Sequence, residues 1–306
     1  MKLFPESINF LKYSKFYFWF SGIITVLAII SLVVFGLKLG IDFTGGSLLE
    51  VRYENNIPEP TAITEIFKAQ GLDSFQKQTS QDNAIIFRFQ NVSEDVHKGI
   101  LDGLLTDEHP GIELRFDTIG AVVGSELKTK SFQVLTIAIL AIALFVGWAF
   151  RRTSGKIRSW RFGVVTLITL AHDVIITVGI FVVLSHYFVH AEIGTPFIAA
   201  LLTVLGYSVS DTIVVFDRIR EHLLKSIKHQ ILEEVVNRSL RETMTRSINT
   251  SLTTVLALLA IFFFGGETIQ YFVLTLAIGI IFGTYSSIFI ASPLLFWWAM
   301  KTDQSS

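Results

Sequence analysis

The chain has 306 residues, 51% of them hydrophobic and 17% charged, with a mean hydropathy of +0.56, an apolar excess that excludes an ordinary water-soluble globule. A net charge of −1 at pH 7 excludes a broadly basic nucleic-acid binder, and the lack of cysteine excludes disulfides, thiolate catalysis and cysteine-held metals. The first apolar run is too long for a signal peptide and no A-x-A-like site breaks it, so it reads as a membrane span.

About 20 apolar residues carry a helix across roughly 30 Å of hydrocarbon. Six segments meet that requirement or approach it: residues 16–37, 132–150, 162–184, 196–216, 251–264 and 271–300. The fifth is short and borrows residues 245–250 to complete its turns; the sixth is long and holds Pro293 near its end, which predicts a tilt or kink. The basic stretch 151–161 has five Lys/Arg and no acid, and 217–246 has seven Lys/Arg, whereas the other short loops have none. The positive-inside rule therefore places both termini and these two loops in the cytoplasm, and residues of about 39–130 outside. That outer region is acidic, with fifteen Asp/Glu against six Lys/Arg between Asp42 and Glu126. Three parts follow: residues 1–38 with the first span, an extracytoplasmic domain at 39–130, and 131–306 with spans two to six.

The outer region reads, in order, as a strand at 47–54, a helix opening at Pro58–Pro60 and ending at Gly71, two strands at 75–79 and from Ala84 split by a turn at 80–83, a helix with Ser93 as its N-cap and Val96, Ile100 and Leu104 on one face, and a final strand from Ile112. A β-α-β-β-α-β order predicts a small ferredoxin-like α+β sandwich between the first two of six transmembrane helices.

Little enzyme chemistry is legible. The stretch LGIDFTGGS, residues 39–47, lacks the lysine of a phosphate loop and the third glycine of a dinucleotide fingerprint. It reads as a turned joint between span and domain, with Asp42 as a cap or turn residue and Gly45 and Gly46 supplying backbone freedom. His186 and His190 share a spacing of four, but they sit in a short loop where polar residues need no ligand. No metal or cofactor is expected. Two ionisable residues inside spans carry more information: Asp173 near the centre of the third, and Asp211 in the fourth, roughly 9 Å inside the cytoplasmic boundary at about 1.5 Å per residue. A carboxylate there costs several kcal/mol unless it pairs, faces a cavity or takes up a proton; the plainer alternative is that each bonds a neighbouring helix's hydroxyl or backbone group. Gly206, Ser208 and Ser210 beside Asp211 predict close helix packing. Arg246 opens the fifth span, either as a snorkelling anchor or within reach of an aspartate. The mixed-charge stretch 217–246 predicts an amphipathic helix in solvent or at the interface.

Four motifs in order, GIDFTGG, ELRFDTIGAVVGSEL, LAHDVIITVGIF and GYSVSDTIVVFDRIRE, resemble the SecF family, the smaller membrane subunits of bacterial SecDF protein-translocation complexes. The resemblance covers essentially the whole chain. It implies a non-enzymatic motor subunit of the resistance-nodulation-division type in the bacterial cytoplasmic membrane. Such a subunit pairs with SecD and works with the SecYEG channel, with YajC and YidC as further associates, on unfolded preproteins. The resemblance places the family's proton-pathway aspartate on Asp211 and its arginine on Arg246, and Asp173 fits the AHDV motif. An RND-like small-molecule or lipid exporter is the alternative, but its large external domain in each half and second six-helix repeat are not seen here. A membrane hydrolase built on His172 and Asp173 is the third reading, and bound zinc or iron would favour it.

Overall fold

The computed structural model describes residues 9–54, 56–79, 83–151, 157–188, 190–225 and 231–303. The chain forms two compact units, one from Met1–Leu37, Gln133–His186 and Pro196–Ser306, the other from Lys38–Phe132 and Tyr187–Thr195. In chain order the elements are α1 (Ser14–Phe35), α2 (Ile41–Thr44), β1 (Gly46–Tyr53), α3 (Pro60–Ala69), β2 (Phe75–Thr79), β3 (Ala84–Phe89), α4 (Glu94–Leu104), β4 (Gly111–Ile119), α5 (Ala121–Ala149), α6 (Ser159–Tyr187), α7 (Thr195–Lys225), α8 (Leu232–Phe264), α9 (Glu267–Ser286), a π-helical segment (Ser287–Ala291) and α10 (Ser292–Asp303).

Six of the helical runs are long and apolar enough to cross a bilayer. Their outward surfaces are apolar, with Trp19, Val33, Leu144 and Phe264 all more than 70% exposed, as hydrocarbon or a partner helix requires. Inside the unit, Phe150 stacks on Phe162 and Phe216 meets both edge-on, all within about 6 Å at one end of the bundle, and Leu223, Leu240 and Leu295 extend that core. The fourth and fifth spans run on as helix well beyond bilayer length. Most of the expected amphipathic helix at 217–246 therefore appears as the ends of α7 and α8, and its residues 226–230 lie outside the described residues, as do 152–156 of the basic loop. In the sixth span the π segment comes just before Pro293. That proline has no N–H to offer the carbonyl four residues back, and its ring crowds it, so the turn widens.

In the α+β unit the sheet order is β2-β3-β1-β4 with every neighbour antiparallel, the ferredoxin-like arrangement of a βαββαβ chain. Asn83 takes a positive φ of 59° at the β2–β3 turn, whose residues 80–82 lie outside the described residues. Ser93 holds the N-cap position of α4 without a side-chain capping bond, and Ile100 and Leu104 are buried as the periodicity requires. Strand alternation divides the sheet into two faces. Leu49, Val51, Phe87 and Phe89 point with Ile63, Phe67, Ile100 and Leu104 into the helix-covered core. Leu48 and Ile86 point the other way, against Ile41 of α2.

Segment 187–195, which the sequence places between two spans, packs as part of this unit. The Ile193 amide donates to the Lys38 carbonyl at 2.9 Å and the Gly40 amide donates to the Ile193 carbonyl at 3.1 Å, a short parallel bridge. Ala191 and Ile193 are buried. Glu192 pairs with Arg88 of β3, and Lys38 Nζ lies 3.7 Å from the same carboxylate.

Candidate functional site

The candidate site lies in the membrane unit, where hydroxyl-bearing turns of α6, α7, α8 and α9 meet. Close helix approach makes it possible: a Cβ on Gly283 of α9 would come within 2.8 Å of the Ser208 side chain on α7, and one on Gly279 within 2.3 Å of Val204. Of the small residues expected to pack on α7, Ser208 is the one at the contact. Gly206 has nothing within 4 Å of its Cβ position, and Ser210 is exposed.

Asp173 is fully buried. Its Oδ2 accepts hydrogen bonds from Ser208 Oγ at 2.6 Å and Ser286 Oγ at 2.9 Å, and its Oδ1 lies 2.9 Å from His172 Nδ1. The other ring nitrogen of His172 is 2.6 Å from Ser21 Oγ of α1. Four helices thus converge on one carboxyl group, and both of its oxygens are occupied, which offsets the several kcal/mol that burying an unpaired charge costs.

Asp211 sits three residues after Ser208 on α7, at 9% exposure. Its Oδ2 accepts from Thr284 Oγ1 at 3.1 Å, and Thr284 is in turn 2.5 Å from Ser251 of α8. Ser247 Oγ is buried beside the same carboxyl group. The two aspartates are therefore linked twice, through α7 by Ser208 and through α9 by Thr284 and Ser286. Thr212 and Ser287, the first residue of the π segment after α9, add a 2.7 Å hydroxyl contact.

Arg246 is on the exposed side of α8, and among the described residues no ion pair joins it to Asp211. Asn249, Thr250 and Thr253 are exposed as well, so positions i, i+3, i+4 and i+7 form a polar stripe that runs up to the apolar second half of α8. The threonines satisfy their own hydroxyls by bonding carbonyls four residues back, as Thr250 does to Arg246 at 2.9 Å. The guanidinium makes no ion pair with Asp211, but its charge acts on that carboxylate from a distance.

The expected joint lies in the α+β unit. Asp42 Oδ2 accepts from the Thr195 amide at 2.7 Å, so it caps the first residue of α7, far away in sequence, rather than its own turn. Gly45 and Gly46 have positive φ angles of 71° and 114°. The His186 ring packs at a tilt against Phe35, 4.6 Å between centroids, in the membrane unit, whereas His190 lies 3.9 Å from Glu50 in the α+β unit. No cluster of metal-binding side chains occurs among the described residues. Sequence reasoning singled out Asp173 and Asp211 from their burial cost. It did not reach Ser21, Ser208, Ser286 and Thr284 as their partners, because serine and threonine are common in membrane helices and only the register shows which ones face the carboxyls.

Six apolar spans, a ferredoxin-like domain inserted after the first and buried aspartates on adjacent spans define a polytopic membrane protein with polar chemistry inside the bilayer. The profile of the protein export membrane protein SecD/SecF C-terminal family matches residues 106–301, and the SecD/SecF GG motif matches residues 30–57. The protein translocase subunit SecF of Sebaldella termitidis is 36% identical over 293 residues, covering 94% of this chain and 91% of that protein. The subunit SecF of Thermobaculum terrenum is 38% identical over 305 residues, covering 96% and 95%. The crystal structure of SecDF from Thermus thermophilus, described as a translocon-associated membrane protein, superposes with a TM-score of 0.79 at 32% identity. That match covers 97% of this chain and 39% of the SecDF chain, so the present chain corresponds to about two fifths of it. The chain belongs to the SecD/SecF family of protein-export membrane proteins, and the relatives it matches nearly end to end are SecF subunits.

Proposed function

We propose that the chain pairs with a SecD-type subunit in the bacterial cytoplasmic membrane and uses the proton gradient to complete preprotein translocation through a SecYEG-type channel. YajC- and YidC-type proteins would be further associates. It works as a transport component rather than an enzyme. Both termini lie in the cytoplasm and the α+β domain outside, in keeping with the loop charges. The observation that carries this reading is the polar stripe of α8. An exposed arginine flanked by Asn249, Thr250 and Thr253 is costly against lipid, so the stripe suits a partner subunit or a wet path between subunits.

In this reading Asp211 takes up and releases the proton, Arg246 compensates its charge when the partner closes around the stripe, and Asp173 completes the pathway. One charge crossing 100 mV yields roughly 2.3 kcal/mol, enough to shift helices held by hydroxyl contacts worth about 1 kcal/mol each. The joint at Asp42, Gly45 and Gly46 is where such a shift would reach the outer domain. The test is Asp211→Asn in the assembled complex, which keeps shape and removes the titrating group. Translocation stimulated by the proton gradient should be abolished, while ATP-driven initiation persists; normal stimulation in that variant would end the proton-carrier role.

A further inference from the structure

Asp173 cannot exchange a proton with water directly, since the residue is fully buried. Whatever reaches its carboxyl group must pass through the groups that touch it. Two of them, Ser208 and Ser286, each have one hydrogen and already direct it at Oδ2; Ser286 also lies 3.0 Å from the Gly283 carbonyl. The third is His172, and an imidazole can take a proton on one nitrogen and give one from the other. Both of its nitrogens are engaged, Nδ1 with Asp173 Oδ1 and Nε2 with Ser21 Oγ. Its side chain is also about 10% exposed, more than Ser21, Ser208, Ser286 or Asp173 itself.

We propose that His172 is the proton shuttle of Asp173, with Ser21 fixing the ring's orientation. This rests on the proton-coupled reading given above. With Asp173 ionised, His172 is neutral, donates Nδ1–H to Oδ1 and accepts the Ser21 hydroxyl at Nε2. As the Ser21 hydroxyl turns its hydrogen away from Nε2, a proton delivered by water, down the gradient, adds there while the Nδ1 proton passes to Oδ1. The products are a carboxylic acid at Asp173 and a neutral imidazole that now donates Nε2–H to Ser21. One proton has been gained and none is left over.

Loading has a consequence for packing. Hydrogen bonds to a carboxylate are roughly twice as strong as those between neutral groups, so protonation weakens the Ser208 and Ser286 contacts together. Those two residues tie α7 and the end of α9 to α6. Ser286 adjoins the π segment, a backbone irregularity of the kind often found where helices must adjust. Ser208 lies on the turn before Asp211, so the state of Asp173 bears on the placement of the carrier itself.

The test uses the complete complex in vesicles, with a pH-sensitive dye for proton flux and a preprotein for translocation. His172→Asn keeps one N–H donor for Asp173 but cannot pass a proton through, and His172→Ala removes both. Both variants should lower proton flux by about a hundredfold, the low end of what a positioned proton-transfer group contributes. Assembly with the partner subunit and melting temperature should hold in the asparagine variant. A His172→Asn protein with normal flux overturns the shuttle and leaves histidine as a positioning donor. Should that variant fail to assemble, Ser21→Ala decides: slowed flux supports the relay, and normal flux overturns it. Asp211→Asn serves as the control. Flux lost in it but kept in His172→Asn defeats this inference alone, whereas flux kept in both defeats the proton-coupled reading beneath it.

Discussion

Gly46 opens β1 with φ at 114°, and a Cβ there would lie 2.7 Å from the Phe89 carbonyl oxygen across the β1–β3 ladder. Gly45 before it, with φ at 71°, would bring a Cβ to 2.6 Å from the Ala121 Cα. Each position is closed to other residues twice over, by backbone angle and by space. The pair therefore forms a tight corner in which neighbouring backbone fills the room a side chain would need. Forcing an L residue into such a conformation costs about 1–3 kcal/mol before the clash is counted. Gly46→Val should accordingly raise hydrogen exchange of the β1 amides by about ten- to a hundredfold, with membrane insertion unaffected. Unchanged protection would show that the corner yields easily and acts as a loose hinge.

At the scale of elements, the six spans and the order of strands and helices were readable because they are periodic. Apolar runs longer than a bilayer and alternating strands flanked by turn residues each leave a local pattern. Segment 187–195 leaves none. Its polar residues look like ordinary loop chemistry until Glu192 is seen beside Arg88, 104 residues earlier, and until the bridge from Ile193 reaches Leu39. The same holds for the mixed charges of 217–246. They predicted a separate amphipathic helix, but His222 and Arg238 meet at Glu242 at 2.9 and 3.0 Å because α7 and α8 each continue past their spans. Contacts between residues distant in sequence set these features, and one sequence without its fold does not display them. Glu192 provides the check. Its removal takes the shared anion from a mostly buried Arg88 and a half-buried Lys38, and losing the charge-assisted hydrogen bond of Arg88 costs about 1.5–3 kcal/mol. Burial already pushes the Lys38 ammonium below its ordinary value of 10.5, and Glu192 holds it up against burial and Arg88. In Glu192→Ala that support is gone. The unfolded chain then keeps the Lys38 proton at pH values where the folded domain has shed it, so the variant's stability should climb as pH rises toward 10.5, more steeply than the wild type's. Denaturation of the two proteins across pH 7–10, followed by exchange at β3 amides, measures both effects; equal slopes would mean that Glu192 does not govern Lys38.

For the whole molecule, length and charge together determine how the chain sits in a bilayer. Helix α7 has 31 residues and α8 has 33, about 46 and 50 Å of helix at 1.5 Å per residue, against roughly 30 Å of hydrocarbon. Each must overhang by about three turns or tilt steeply. The sequence assigns the overhang to one end of each: the last turns of α7 carry Asp217, Arg218, Arg220 and Glu221, and the first turns of α8 carry Glu233, Glu234, Arg238 and Glu242. Arg218 pairs with both Glu221 and Glu242 there, a surface network that hydrocarbon would not tolerate but water accepts. That end is also the basic one by count, and the five Lys/Arg of residues 151–161 fall on the same side by alternation of the spans. The proposed orientation puts the acidic α+β domain on the opposite side. Because the chain has no cysteine, single thiols report this arrangement without background. Asp107 and Lys225 are both exposed, one in the α+β domain and one at the end of α7. A membrane-impermeant maleimide added to intact spheroplasts should modify Asp107→Cys and leave Lys225→Cys unmodified until the membrane is opened. The reverse pattern would invert the orientation.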